Sequence, residues 1–249
     1  AVVPGDAEER ELSVLDDRFL SSPSLALERA HDAVVQMSEF ARDNYRLAVE
    51  LIWKFDAKKL ERLNETEVAL DKLEGLLDNY LVKLTDRALT AEESTRVSEL
   101  LHTLSDFERI GDYAVNVSES AVVLHDRNIT FSPQARAELE RLTAAVGETL
   151  DKTVACYQSR QRTLAVQVEP LEEVVDLIAA TLKNRHVERL KAGECTIELG
   201  TQFLELLINL ERMSDHCSNV ALHILRQTSS PDDKGRIDSH AYMHELHHG

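Results

Sequence analysis

Four carboxylate pairs share one form, an acid followed four residues later by Asp: Glu74 with Asp78, Glu108 with Asp112, Glu172 with Asp176, and Glu211 with Asp215. Residues four apart on a helix lie about 5–6 Å from each other on one face, where like charges oppose helix formation by a few tenths of a kcal/mol. Such pairs work against folding unless something binds between the charges. On a wheel of about 100° per residue, Glu211 and Asp215 fall in the sector of Leu204, Ile208 and Leu222, while Glu108 and Asp112 lie beside Leu101 and Val115. Glu211 and Asp215 are therefore expected to sit deeper than Glu108 and Asp112. A carboxylate turned into an apolar bundle must be protonated, paired with a base or bound to a metal, because desolvating it alone is costly. Oxygen-only donors suit hard or borderline cations such as iron, Mg, Mn or Ca, whereas zinc or copper would call for His or Cys.

The competing reading is a solvated acidic face with Arg109 and Arg212 as counter-ions. Each arginine leaves the helix about 100° from its Glu neighbour, which predicts poor neutralisation. Glu67 and Asp71 share wheel angles with Glu74 and Asp78 but have no evident partner in the second half of the chain, and are assigned to a solvated face. Asn116 and Asn219, eight residues after each motif Glu, suit packing hydrogen bonds.

The elements that must position these acids are duplicated. Phe107-Glu-Arg-Ile-Gly-Asp-Tyr-Ala-Val-Asn-Val117 returns as Leu210-Glu-Arg-Met-Ser-Asp-His-Cys-Ser-Asn-Val220. The fold expected is all-α, two tandem three-helix bundles related by internal pseudo-symmetry. Residues 1–22 form a connector, 23–128 the first repeat, 129–228 the second, and 229–249 a polar, His-rich tail. Ser22-Pro23 and Ser132-Pro133 read as helix starts, with Ser as cap and Pro at the first helical position. Helices are expected over about 23–55, 57–86, 91–126 and 133–164, then from Pro170 to Gly193, and over about 195–227. Thr90 with Glu93 forms a capping box. Antiparallel second and third helices would set one acid pair opposite the other, up to four carboxylates per cation.

With 249 residues, 43% hydrophobic, net charge −17 and pI about 5.0, the chain can bury a large core but should attract neither a phosphate backbone nor an anionic lipid surface. Nucleic acid is excluded as a partner on this ground. No apolar run is long enough to span a bilayer and no signal peptide is evident, so no membrane insertion of this chain is expected. Cys156, Cys195 and Cys217 fit neither a disulfide framework nor a metal knuckle, which points to a reducing cytoplasm. The opening Ala-Val-Val, without Met, suggests a fragment or a processed product.

Other motifs carry less. His244-Glu-Leu-His-His248 matches the zinc-protease letters but lies at the extreme end with no downstream third ligand. Glu28-Arg-Ala-His31 resembles the Glu-x-x-His of di-iron bundles, yet occurs once where two are needed. Without a glycine-rich phosphate loop or a Ser-His-Asp or Cys-His arrangement, no catalytic residues and no organic cofactor are assigned, and the chain is read as a non-enzyme.

The duplicated motifs resemble those of the PhoU family, whose signature is close to Glu-Arg-Ile-Gly-Asp-His-Ala-x-Asn; the resemblance runs over roughly 23–228, with Tyr113, Ser214 and Cys217 departing from it. It implies regulation of phosphate uptake and carboxylate-bound metals at Glu74, Asp78, Glu108, Asp112, Glu172, Asp176, Glu211 and Asp215. The segment from Leu15 to Glu28 looks like the connector leading into the C-terminal PhoU-like region of bacterial Na/Pi-cotransporter family proteins. That resemblance implies a cytoplasmic regulatory domain at the inner face of the plasma membrane, partnered by a membrane phosphate-transporter domain in the same chain or complex. Oligomeric state is open, with a homodimer among the expectations. Two alternatives stand beside this: a free-standing PhoU-type adaptor, and a carboxylate-bridged metalloenzyme or metal store.

Overall fold

The computed structural model describes residues 15–227, and they are helical apart from short connections. A 3₁₀ turn, Asp17–Ser21, precedes α1 (Pro23–Trp53), α2 (Ala57–Thr85), α3 (Ala91–Asp126), α4 (Pro133–Ser159), the one-turn α5 (Arg162–Ala165), α6 (Val168–Lys191) and α7 (Ile197–Gln227). Two compact units emerge, one ending at Ser118 and the other beginning at Glu119, so the division falls within α3.

Local chemistry sets the helix ends. Asp56 caps α2 by accepting from the Lys58 amide at 2.9 Å. The Thr90–Glu93 capping box is complete, with Glu93 accepting from the Thr90 amide at 2.9 Å and Thr90 Oγ1 from the Glu93 amide at 3.2 Å; each closes a donor that the helix itself leaves open. Ser132 caps α4 through the Ala135 amide, but Ser22 makes no such bond, and α1 starts on the fixed φ of Pro23 alone. The single helix expected to run to about 164 stops at Ser159, where Arg160 turns left-handed at φ 52°, and α5 resumes the path. Pro170 does not open α6 but sits third within it. In the first turn an amide has no intrahelical acceptor, so proline costs the helix nothing there.

In the first unit Leu27, Val34 and Met37 of α1 join Leu70, Leu73 and Leu77 of α2 and Phe107 and Ile110 of α3 in a buried core. In the second, Leu142 and Val146 of α4, Val175 and Ala179 of α6, and Phe203, Leu207 and Leu210 of α7 do the same. In each unit the acid-bearing helices present these apolar rows at helical period, and in the second unit packing the rows brings carboxylates of α6 and α7 together.

Candidate metal centres

In the first unit the acids of α2 and α3 repel one another. Burial pushes the Glu108 carboxyl up to about 7, helped by the neighbouring Asp112 charge and opposed by Arg109. Burial first, and then the charges of Asp71 and Asp112, raise Glu67 to about 7. Asp71 and Glu74 are also raised, by burial and then by neighbouring acids: Asp112 for Asp71, and Asp71, Asp78 and Asp112 for Glu74. Burial and the mutual repulsion of the acids thus act together here, and Arg109 offsets them only in part. Asp78, at the far end of the row, is exposed.

Glu67, assigned to a solvated face by its lack of a repeat partner, is instead half-buried beside these acids, whereas Asp71 is exposed, as that assignment expected. Glu67 Oε2 accepts from Nδ2 of the wholly buried Asn44 at 3.0 Å, so α1 also contributes to the site. Gly111 makes the room: a Cβ there would meet Leu70 Cδ1 at 3.0 Å and Glu67 Oε2 at 3.2 Å. The wheel angle that Glu67 shares with Glu74 pointed to this place; the demand for a duplicated partner set it aside.

The second unit concentrates its donors further. Glu172 and Asp176 of α6 and Asp215 of α7 each place one carboxylate oxygen within 4.8 Å of the others, with Glu172 and Asp215 buried. Oxygens bound to one cation at about 2.0–2.6 Å each can stand no further apart than about twice that distance, so this spacing fits Mg, Mn, Ca or iron. Glu211 does not join them. Its Oε2 accepts from Lys183 Nζ of α6 at 2.5 Å, a partner the sequence reading did not identify.

The two arginines correct the expectation from the wheel. Arg109 curls back to 3.3 Å from Asp112 Oδ2 and 3.5 Å from Glu108 Oε2, and Arg212 to 3.7 Å from Asp215 Oδ2. A long, flexible side chain overrides the direction of its Cα–Cβ bond. Both arginines remain half-exposed, which limits how far they neutralise the acids. The expected difference in depth holds for one position of two. Asp215 is 12% exposed against 40% for Asp112, but Glu211 is 22% exposed against 18% for Glu108. Ile208, which defined the apolar sector around Glu211, is itself exposed.

Glu28 is drawn to Arg96 Nη2 at 2.6 Å. The His244–His248 motif lies outside the described residues.

Comparison with known proteins places this geometry in a family. The PhoU domain model matches residues 34–121 and 139–224, covering both copies of the acid motif. A phosphate-specific transport system accessory protein PhoU homolog of Xylella fastidiosa is 24% identical over 200 residues, 80% of this chain and 83% of the relative. A Thermotoga maritima relative described as homolog 1 of the same accessory protein is 22% identical over 218 residues, 87% of each chain. Among solved structures, PhoU from Pseudomonas aeruginosa superposes with a TM-score of 0.75 at 21% identity, covering 81% of this chain and 96% of that one. The phosphate transport system regulatory protein PhoU from Streptococcus pneumoniae gives 0.73 at 16% identity, covering 84% and 97%. These likenesses support the helical-bundle fold, and the match to both repeats shows that the chain belongs to the PhoU domain family.

Proposed function

We propose that this chain is a non-catalytic regulator of phosphate transport, an accessory protein whose two acid clusters hold hard cations. The observation that carries the reading is that Glu172, Asp176 and Asp215 bring carboxylate oxygens together between α6 and α7, at positions covered by the family match. The relatives' description as accessory proteins, and the large share of their lengths that is matched, support an adaptor acting on a separate transporter more than a domain continuous with one. The adaptor reading therefore replaces the Na/Pi-cotransporter reading as the main one, since that rests on residues 15–28 alone. No helix among the described residues is long and apolar enough to cross a membrane. The site of action proposed is the cytoplasmic side of the membrane, beside the transporter.

In the second unit Glu172, Asp176 and Asp215 fit a cation in chemistry and spacing and would hold it. In the first the donors match in chemistry, and Glu74, Glu108, Asp112 and the added Glu67 would share it. Bound metal would supply positive charge that offsets the repulsion between these carboxylates, and so would tie α2 to α3 and α6 to α7. The relatives' description as accessory proteins favours a regulator over the metalloenzyme alternative.

Two measurements test the reading. Elemental analysis of protein lacking residues 240–249 should find bound Fe, Mn, Mg or Ca. Added metal should then raise the thermal midpoint of the stripped protein, and Asp112→Asn combined with Asp215→Asn should abolish that rise. A midpoint unmoved by every hard cation ends the cation part. Phosphate uptake that is unchanged on deleting the gene ends the regulatory part.

A further inference from the structure

Apart from the acid clusters, the second unit carries a basic patch around an apolar hollow. Glu138 and Arg141 of α4 and Leu177, Ile178, Leu182 and Arg185 of α6 line a cavity of about 260 Å³. Its apolar wall continues onto the surface: Leu177 is 69% exposed and Val174, one turn earlier, 46%. Large apolar side chains left in water next to a hollow mark surface that a partner covers.

The charges around it are arranged unevenly. Glu138 is buried, with Oε2 accepting from Arg189 Nη1 at 2.7 Å and Oε1 from Arg185 Nη1 at 3.2 Å. Arg189 is nearly buried and lies over the Phe203 ring at 5.1 Å, so it is committed to the interior. Glu138 is therefore shared between the interior Arg189 and the outer Arg185, with one hydrogen bond to each. Arg185 stays half-exposed, and Arg141, also exposed, forms no ion pair among the described residues. Around one carboxylate stand three guanidinium groups, a local positive excess on a chain of net charge −17.

We propose that this groove between α4 and α6 docks an acidic segment of a partner protein, with a large apolar side chain in the cavity and flanking carboxylates on Arg141 and Arg185. Guanidinium groups grip carboxylates bidentately, and an arginine rim around an apolar pocket is the composition of an interface anchor. The cavity falls below the roughly 300–1,000 Å³ of a small-molecule site but suits one side chain, and the apolar strip beside it adds contact that only a longer segment would use. An extended anionic membrane would meet the whole negative charge of the chain, whereas a short segment meets only this patch. The groove is separate from the acid clusters, and the proposal does not depend on whether they hold metal.

The test is selection of a random 12-residue display library on the full chain, with counter-selection on the Arg141→Glu, Leu177→Ser double variant. Both positions are exposed, and circular dichroism and the thermal midpoint check that the variants fold. Selected peptides are expected to combine Asp or Glu with Leu or Phe at helical spacing. A fluorescent copy of one should lose at least about tenfold in affinity to either single variant and weaken with added salt. Selected sequences without acids, peptides that bind the variants as well as the wild type, or no enrichment at all would overturn the proposal. Sedimentation is the last check: self-association of the wild type that the double variant abolishes would show that a second copy fills the groove, and would overturn it too.

Discussion

Lys183 Nζ donates to Glu211 Oε2 across 2.5 Å between α6 and α7, and so withdraws one motif carboxylate from the set formed by Glu172, Asp176 and Asp215. The lysine occupies one carboxylate with a fixed ammonium where the repeat pattern supplies four acids. Both side chains keep contact with solvent, so the pair itself stabilises by about 1 kcal/mol at most.

Lys183→Met should therefore cost the metal-free protein little while returning Glu211 to the cation set. The expected outcome is a larger rise in thermal midpoint on adding Mn or Mg than the wild type shows. Equal rises in the two proteins would place Glu211 outside the set with or without the lysine.

The pH dependence of the first unit has a definite sign. Glu67 and Glu108 sit at about 7 in the folded chain against 4.5 for an ordinary Glu. Folding favours their protonated forms, so their contribution is fully present below about pH 4.5 and is lost as pH rises through about 7. In metal-free protein held in a chelator, stability should fall across that window, and Glu67→Gln with Glu108→Gln should flatten the fall. Denaturant titrations at pH 5 and pH 8 measure the difference. With a bound cation the trend should weaken or reverse, because the metal prefers the ionised carboxylates.

Ser214 stands in the second copy where Gly111 stands in the first. Its Oγ is buried and has no hydrogen-bond partner. Ser214→Ala removes a buried hydroxyl that satisfies nothing and replaces it with a better helix former, so it should stabilise the protein by about 1 kcal/mol. A higher midpoint in chemical denaturation is expected, and a lower one would mean that the hydroxyl has a partner in solution.

Glu138→Gln removes the charge that compensates Arg189 in the interior of the second unit. Breaking a buried pair from one side leaves an uncompensated charge, and a loss of roughly 3 kcal/mol is expected. Denaturant unfolding measures it, and a loss below about 1 kcal/mol would show that solvent reaches Arg189.

Much of the fold could be read along the chain because helix signals are local. The capping box at Thr90, the Ser-Pro starts and the apolar period located the six long helices to within a few residues. The misses at the end of α4 and the start of α6 have local causes as well: Arg160 took a left-handed conformation that few non-glycine residues adopt, and Pro170 was tolerated inside a first turn. The two additions to the first cluster, Glu67 and Asn44, depend on which faces of α1, α2 and α3 meet, and the absence of a matching acid in the second repeat made Glu67 look solvated.

By itself the sequence determined that this is a duplicated all-helical chain with carboxylates paired four residues apart, because period and repetition are properties of the chain alone. Only the tertiary structure decided which acids keep company. Packing placed Lys183 against Glu211, folded Arg109 and Arg212 back over their neighbours, and opened space at Gly111 for Glu67. The physical reason is that carboxylate ionisation and pairing depend on distances of a few ångströms between residues far apart in sequence, which spacing on one helix cannot specify.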